Sequence, residues 1–180
     1  MYFNKPISFL ESSTQPVRLI GRTAVRAIIM EQGKILMVHS NLGYYKLPGG
    51  GAETGESLTE ALSREVVEET GYLNSQALKE LGVVSELRPD RSMAGTCFHM
   101  DSYYYLCRLT DKEKTEQALI DYELEENYTP VWISLLEAIE INQSSYEKNN
   151  SLIFIPRENF ILNWLLRNPL AVAQGGTAAL

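Results

Sequence analysis

The stretch Leu47-Pro48-Gly49-Gly50-Gly51-Ala52-Glu53-Thr54-Gly55-Glu56-Ser57-Leu58-Thr59-Glu60-Ala61-Leu62-Ser63-Arg64-Glu65-Val66-Val67-Glu68-Glu69-Thr70-Gly71-Tyr72-Leu73 decides how the rest of this chain is read. It opens on three consecutive glycines and continues into a helix with carboxylates on an unexpected face. Ser57-Leu58-Thr59-Glu60 is a capping box, with serine at the cap and glutamate three residues later. Gly71 supplies the left-handed residue that commonly closes a helix, so the pattern predicts a helix over Leu58 to Thr70. At about 100° per residue, Leu58, Ala61 and Leu62 share one stripe. Glu65 and Glu69 fall at the centre of that stripe and Glu68 on its edge, while Thr59, Glu60, Ser63, Val67 and Thr70 take the opposite side. A generic acidic helix would turn its glutamates to solvent. Burying carboxylates among leucines is costly unless something positive meets them. Glutamates at i, i+3 and i+4 lie within reach of one divalent cation. The glycines just upstream allow close approach of backbone N–H groups to an anion. Together these features suggest metal-bridged phosphate chemistry.

The stretch resembles the Nudix box, G-x5-E-x7-R-E-U-x-E-E-x-G-U with U a bulky aliphatic residue. The matching residues are Gly50, Glu56, Arg64, Glu65, Val66, Glu68, Glu69 and Gly71. Tyr72 occupies the last position and is the one departure. Leu47-Pro48-Gly49-Gly50 leads in, and Val131-Trp132-Ile133-Ser134 follows downstream, as is common in the family. The resemblance implies a mixed central sheet in an α/β/α sandwich, between the box helix and C-terminal helices. It also implies hydrolysis of a diphosphate linkage with Mg²⁺ or Mn²⁺ as cofactor. Carried over by position, Glu65, Glu68 and Glu69 are the expected metal ligands, with the Gly50 carbonyl as an additional one. Arg64 and Glu56 are the expected orienting pair, a bidentate fork that holds a glutamate in place. Many relatives recruit a further glutamate before the Trp strand, and Glu126 is placed first here, ahead of Glu125 and Glu123. Glu65, Glu68 or a loop glutamate can serve as general base, and the choice stays open.

The 180 residues suit one domain with a sizeable core. Hydrophobic residues at 44% and charged residues at 22% are ordinary globular values. Sixteen Lys and Arg against 23 Asp and Glu leave a net charge of −7 with no basic run, which argues against a nucleic-acid polymer or an anionic membrane as partner. Cys97 and Cys107 make no metal or redox spacing and read as reduced packing residues of a cytoplasmic protein. No apolar run reaches membrane length, and the N-terminus lacks the apolar segment of a signal peptide.

Residues 1–20 read as an N-terminal arm with one short strand, 21–168 as the Nudix-like hydrolase domain and 169–180 as a flexible tail. Strands are expected at Arg22–Met30, Lys34–His39, Tyr44–Leu47, Ala77–Leu87, Thr96–Leu109 and Thr129–Ile133, the first two joined as a hairpin through Glu31-Gln32-Gly33. Arg88 to Arg91 reads as a polar loop, Asp111 to Thr129 as a long acidic loop, and Leu135–Ile141 as a short helix capped by Ser134. Asn142 to Ser151 reads as a polar linker, and a last helix starts near Pro156 and runs through about Leu166. In Thr96–Leu109, period-2 alternation is partly apolar on both faces, as in a sheet covered on two sides.

Tyr44, Tyr45, Gly49 and Gly50 are the candidate substrate contacts, the tyrosines by stacking on a base or ribose. Arg22, Arg26, Arg88 and Arg91 are unranked candidates for phosphate, and His39 and His99 read as packed strand residues. The expected substrate is a small nucleoside diphosphate derivative, with nucleoside triphosphates level with ADP-ribose-type compounds. In some branches a proline a short way past the box accompanies ADP-ribose hydrolysis, and Pro89 lies near that place. The competing reading is a catalytically inactive ligand-sensing or interaction module on a Nudix scaffold. Such modules are expected to lose box glutamates, and none is lost here. A homodimer is compatible with the family, in which dimers are frequent.

Overall fold

The computed structural model describes residues 3–10, 18–90, 93 and 95–172. Seven strands form one mixed sheet: β1 (Phe3–Ser8), β2 (Arg18–Glu31), β3 (Lys34–His39), β4 (Tyr45–Lys46), β5 (Ser75–Pro89), β6 (Thr96–Leu109) and β7 (Thr129–Ile133). Their order is β1-β5-β6-β2-β3-β4, with β7 also pairing to β3. The β1–β5 and β2–β6 pairs are parallel and the others antiparallel. The helices are α1 (Leu58–Thr70), α2 (Asp121–Glu125), α3 (Leu135–Lys148), α4 (Ile155–Arg167) and α5 (Pro169–Val172). None of the described helices is long and apolar enough to cross a membrane.

Strand alternation builds two cores. Val25, Ala27 and Ile29 of β2, with Tyr105 and Cys107 of β6, pack against Ala61, Leu62 and Val66 of α1. Ile28, Tyr104 and Leu106 point the other way, to Leu135 and Ala138 of α3 and to Ile161, Leu162 and Leu165 of α4. The sheet is therefore sandwiched between the box helix and the C-terminal helices, as expected. Cys97 and Cys107 are both buried free thiols, and burial pushes the Cys107 thiol up to about 12. The β2–β3 hairpin turns through Gln32 (φ 49°) and Gly33 (φ 77°), the left-handed pair that a two-residue hairpin loop needs.

Several boundaries differ from the expectations. The short strand expected in the arm is β1, and it joins the sheet beside β5, with Phe3 seated edge-on against Tyr104 and Trp164. Residues 11–17 and 173–180, part of the expected arm and tail, lie outside the described residues, as does Arg91. Arg88 and Pro89 continue β5 instead of starting a loop. The acidic loop contains α2. The expected linker after Ile141 is instead helical to Lys148. Its polar residues have partners on the strand side: buried Asn142 brackets the Tyr45 backbone, accepting its N–H at 2.7 Å and donating to its carbonyl at 2.9 Å. Ser145 Oγ donates to the Gly43 carbonyl at 2.7 Å.

Candidate active site

The α1 boundaries agree with the capping-box reading. Ser57 Oγ accepts the Glu60 N–H at 3.3 Å, and the Glu60 carboxylate accepts the Ser57 N–H at 2.9 Å. Gly71 closes the helix at φ 74°. With both ends set, Glu65 (7% exposed) and Glu69 (1%) are carried inward beside Leu62, and Glu68 sits at the rim. Thr70, assigned by the helical wheel to the outer face, is buried and donates to the Val66 carbonyl at 2.6 Å. Its hydroxyl also accepts the Tyr72 N–H at 3.3 Å, and a Cβ on the next residue, Gly71, would meet the Thr115 carbonyl oxygen at 2.5 Å.

The glycine run does not curl into a free anion nest. It lies extended along β2: the Pro48 carbonyl accepts the Ala27 N–H (2.8 Å), and the Gly50 carbonyl accepts the Val25 N–H (2.9 Å). Gly49 adopts φ 137°, where an added Cβ would fall 2.1 Å from the Val25 carbonyl oxygen. The anion its N–H meets is the carboxylate of Glu69, at 2.8 Å. At Gly50 a Cβ would lie 2.4 Å from Glu65 Oε2, so the absence of a side chain leaves room for that carboxylate.

Two cations hold the carboxylates. Arg64 grips both oxygens of Glu56, each at 2.9 Å, and its Nη1 donates to Glu65 and Glu68, also at 2.9 Å. Its Nη2 also reaches the Gly51 carbonyl at 3.0 Å, tying helix to glycine run. Arg64 holds the Glu56 carboxyl down at about 2. Burial and the charge of Glu69 push the Glu65 carboxyl upward, against the pull of Arg64. Lys46 Nζ stands 2.8 Å from Glu69 Oε1, yet that oxygen has no directed hydrogen bond. The ammonium also lies 4.5 Å from the centre of the Tyr128 ring, a cation–π contact.

Beside Lys46 opens a cavity of about 230 Å³, lined by Arg26, Tyr44, Glu86, Arg88, Tyr122, Glu126, Tyr128, Phe154 and Arg157 among others. Of the two candidate tyrosines, buried Tyr44 reaches it, with its hydroxyl on Glu126 and Tyr128. Tyr45 does not: one residue along the strand it faces α3 and packs on His39, ring centres 4.7 Å apart. Glu126 is held by the hydroxyls of Tyr44 and Ser40. Glu123 is buried, and its carboxyl is pushed upward by burial and by the charge of Glu69. Glu125 is exposed. His99 lies 3.5 Å from Asp101. Lys46 and Arg157 were not singled out from sequence. Their signal was the strand alternation next to Tyr45 for the former, and a charged pair inside an apolar helix for the latter.

The NUDIX domain family model matches residues 21–152. The chain belongs to the Nudix family. An ADP-ribose pyrophosphatase of Methanocaldococcus jannaschii is 41% identical over 76 residues, which cover 40% of this chain and 43% of that protein. The match thus spans less than half of that relative's length. Among solved structures, an ADP-ribose pyrophosphatase from Streptococcus suis 89-1591 aligns at 22% identity and a TM-score of 0.45, covering 63% of this chain and 74% of its own. A UDP-X diphosphatase aligns at 24% and 0.47, covering 72% and 64%.

Within the Nudix box, Tyr72 takes the aliphatic position by burying its ring in the α1 core, and its hydroxyl accepts the Trp132 Nε1–H at 3.1 Å. Glu65 and Glu68 meet at Arg64, and Glu69 turns to Lys46 and the Gly49 N–H. Among the described residues no three His, Cys, Asp or Glu side chains gather at metal-ligand spacing. The donors nevertheless suit a hard divalent cation: the two buried carboxylates of Glu65 and Glu69, the latter with an oxygen that only the Lys46 ion pair meets among the described residues, and Glu68 at the rim.

Proposed function

We propose that this Nudix protein is a divalent-metal-dependent hydrolase that splits the diphosphate of a small nucleoside diphosphate derivative. The observation that carries the reading is the buried Glu65–Glu69 pair, set by α1 against the Gly49–Gly51 run, with Glu69 paired to Lys46 of the cavity lining. Glu65, Glu68 and Glu69 would hold Mg²⁺ or Mn²⁺, with the second lone pair of the Gly50 carbonyl as a further donor. Such an ion, when bound, neutralises phosphate oxygens and lowers the pKa of an attacking water. Arg64, locked by Glu56, keeps Glu65 and Glu68 oriented. Gly49 N–H orients Glu69. Lys46 balances the charge of Glu69 and can pass to a phosphate oxygen when the carboxylate is engaged elsewhere. For the loop carboxylate, Glu123 takes precedence over Glu126: it shares the electrostatic field of Glu69 and Lys46, whereas two hydroxyls hold Glu126. The similarity to an ADP-ribose pyrophosphatase over 76 residues supports ADP-ribose-type compounds ahead of nucleoside triphosphates. The inactive-module reading has no observation in its favour, since every box carboxylate is present.

A panel of nucleotides and nucleotide sugars, assayed with Mg²⁺ and Mn²⁺ for phosphate or nucleoside monophosphate release, tests the reading. In H₂¹⁸O, label is expected in a phosphate-bearing product. Label found only on a sugar carbon means glycosidic cleavage and overturns it.

A further inference from the structure

Four arginines stood unranked as phosphate contacts; Arg91 lies outside the described residues, and the structure separates the other three. Arg22 is exposed beside Gly51. The Arg88 guanidinium lies over the Phe98 ring, 4.7 Å from its centre. Arg26 is buried (8% exposed), lines the cavity, and leaves Nε and Nη1 without any hydrogen-bond partner.

The carboxylates that line the cavity with Arg26, Glu86 and Glu126, each bond another group. Glu86 pairs with Arg157, which also binds Glu158 at 2.9 Å. Glu126 is held by Tyr44 and Ser40. Glu65 feels the charge of Arg26, but its Oε1 bonds Arg64. A guanidinium kept only for packing would be paired by the fold or replaced by an apolar residue, because an unmet buried charge is destabilising. Its backbone also flanks the glycine run: a Cβ on Gly49 would come within 3.0 Å of Arg26 Cα. The planar fork of arginine matches two oxygens of one phosphate.

We propose that Arg26 is a substrate-binding residue that receives a non-bridging phosphate oxygen of the ligand inside this cavity. The proposal rests on the diphosphate-hydrolase reading for its ligand class, but its test needs neither metal nor turnover. Titrate wild type, Arg26→Gln and Arg26→Lys in EDTA with ADP, inorganic pyrophosphate and adenosine, following heat of binding and melting temperature. Wild type is expected to bind ADP and pyrophosphate. Arg26→Gln is expected to weaken both by roughly ten- to a hundred-fold, as for a charge-assisted bond. Arg26→Lys, which keeps the charge and loses the fork, is expected to fall between, and it carries the test if the glutamine variant does not fold. Adenosine affinity should be the same in all three. Unchanged ADP and pyrophosphate affinity in the variants, an equal loss for adenosine, or no wild-type binding to either phosphate probe at millimolar concentration overturns the assignment. Wild type that binds through Arg26 yet hydrolyses nothing with Mg²⁺ or Mn²⁺ would refute the hydrolase reading alone.

Discussion

At the scale of single residues, the side of the helix on which a glutamate sits matters more than its charge. Glu69 is buried between Gly49 N–H and Lys46, while Glu60 is an exposed capping residue of the same helix. Glu69→Gln is expected to lose several orders of magnitude in kcat with its circular dichroism unchanged, and Glu60→Gln to stay near wild type. Steady-state kinetics on the pair checks this, and equal losses would contradict it. Neighbouring glycines should separate chemistry from folding in the same way. The atoms nearest an alanine Cβ at Gly50 are those of the movable Glu65 carboxylate, so Gly50→Ala should lower kcat with little change in melting temperature. At Gly49 it meets the backbone of Val25 at a left-handed φ, so Gly49→Ala should cost about 1–3 kcal/mol of stability, read by chemical denaturation.

At the scale of elements, α1 and α3 contrast. The α1 termini are set by groups within a few residues of each other, which is why the capping box and Gly71 located both ends. The second half of α3 is stabilised from outside, by β4 and the turn before it. Asn142→Ala would leave the Tyr45 N–H and carbonyl without their partner, and it is expected to destabilise the fold by about 1–3 kcal/mol. A denaturant titration would show this as a lower midpoint at unchanged slope. A midpoint equal to wild type would mean that α3 needs no anchor on β4.

At the scale of the whole molecule, the sheet brings three separate segments to one rim. β2 delivers Arg26, β4 delivers Lys46 beside the glycine run, and α1 delivers the carboxylates. From the opposite layer, Glu158 of α4 accepts the Leu47 N–H at 3.0 Å, so the C-terminal helix also fixes where the box begins. The carboxylate cluster is under mutual repulsion, which Arg64, Lys46 and the Gly49 N–H offset in part. A divalent cation that binds the folded chain alone should raise the melting temperature progressively with its concentration. Chelation should abolish turnover. Identical melting curves with EDTA, Mg²⁺ and Mn²⁺ would remove the metal site proposed here.

Sequence alone determined what depends on neighbours along the chain. The α1 limits, the carboxylates on its apolar stripe, the β2–β3 hairpin and the two-faced alternation of β6 all follow from period and capping chemistry. The tertiary structure decided what depends on contacts between distant segments. Period-2 alternation says that Tyr45 and Lys46 face opposite ways, but only the position of α3 says that Tyr45 turns from the cavity and Lys46 meets Glu69. The polar run after Ile141 is helical because Asn142 and Ser145 find partners on β4 and its turn. Of the four candidate arginines, the three described ones, Arg22, Arg26 and Arg88, become distinct once burial and pairing are known, since the cost of an unpaired charge depends on its surroundings and not on its sequence neighbours.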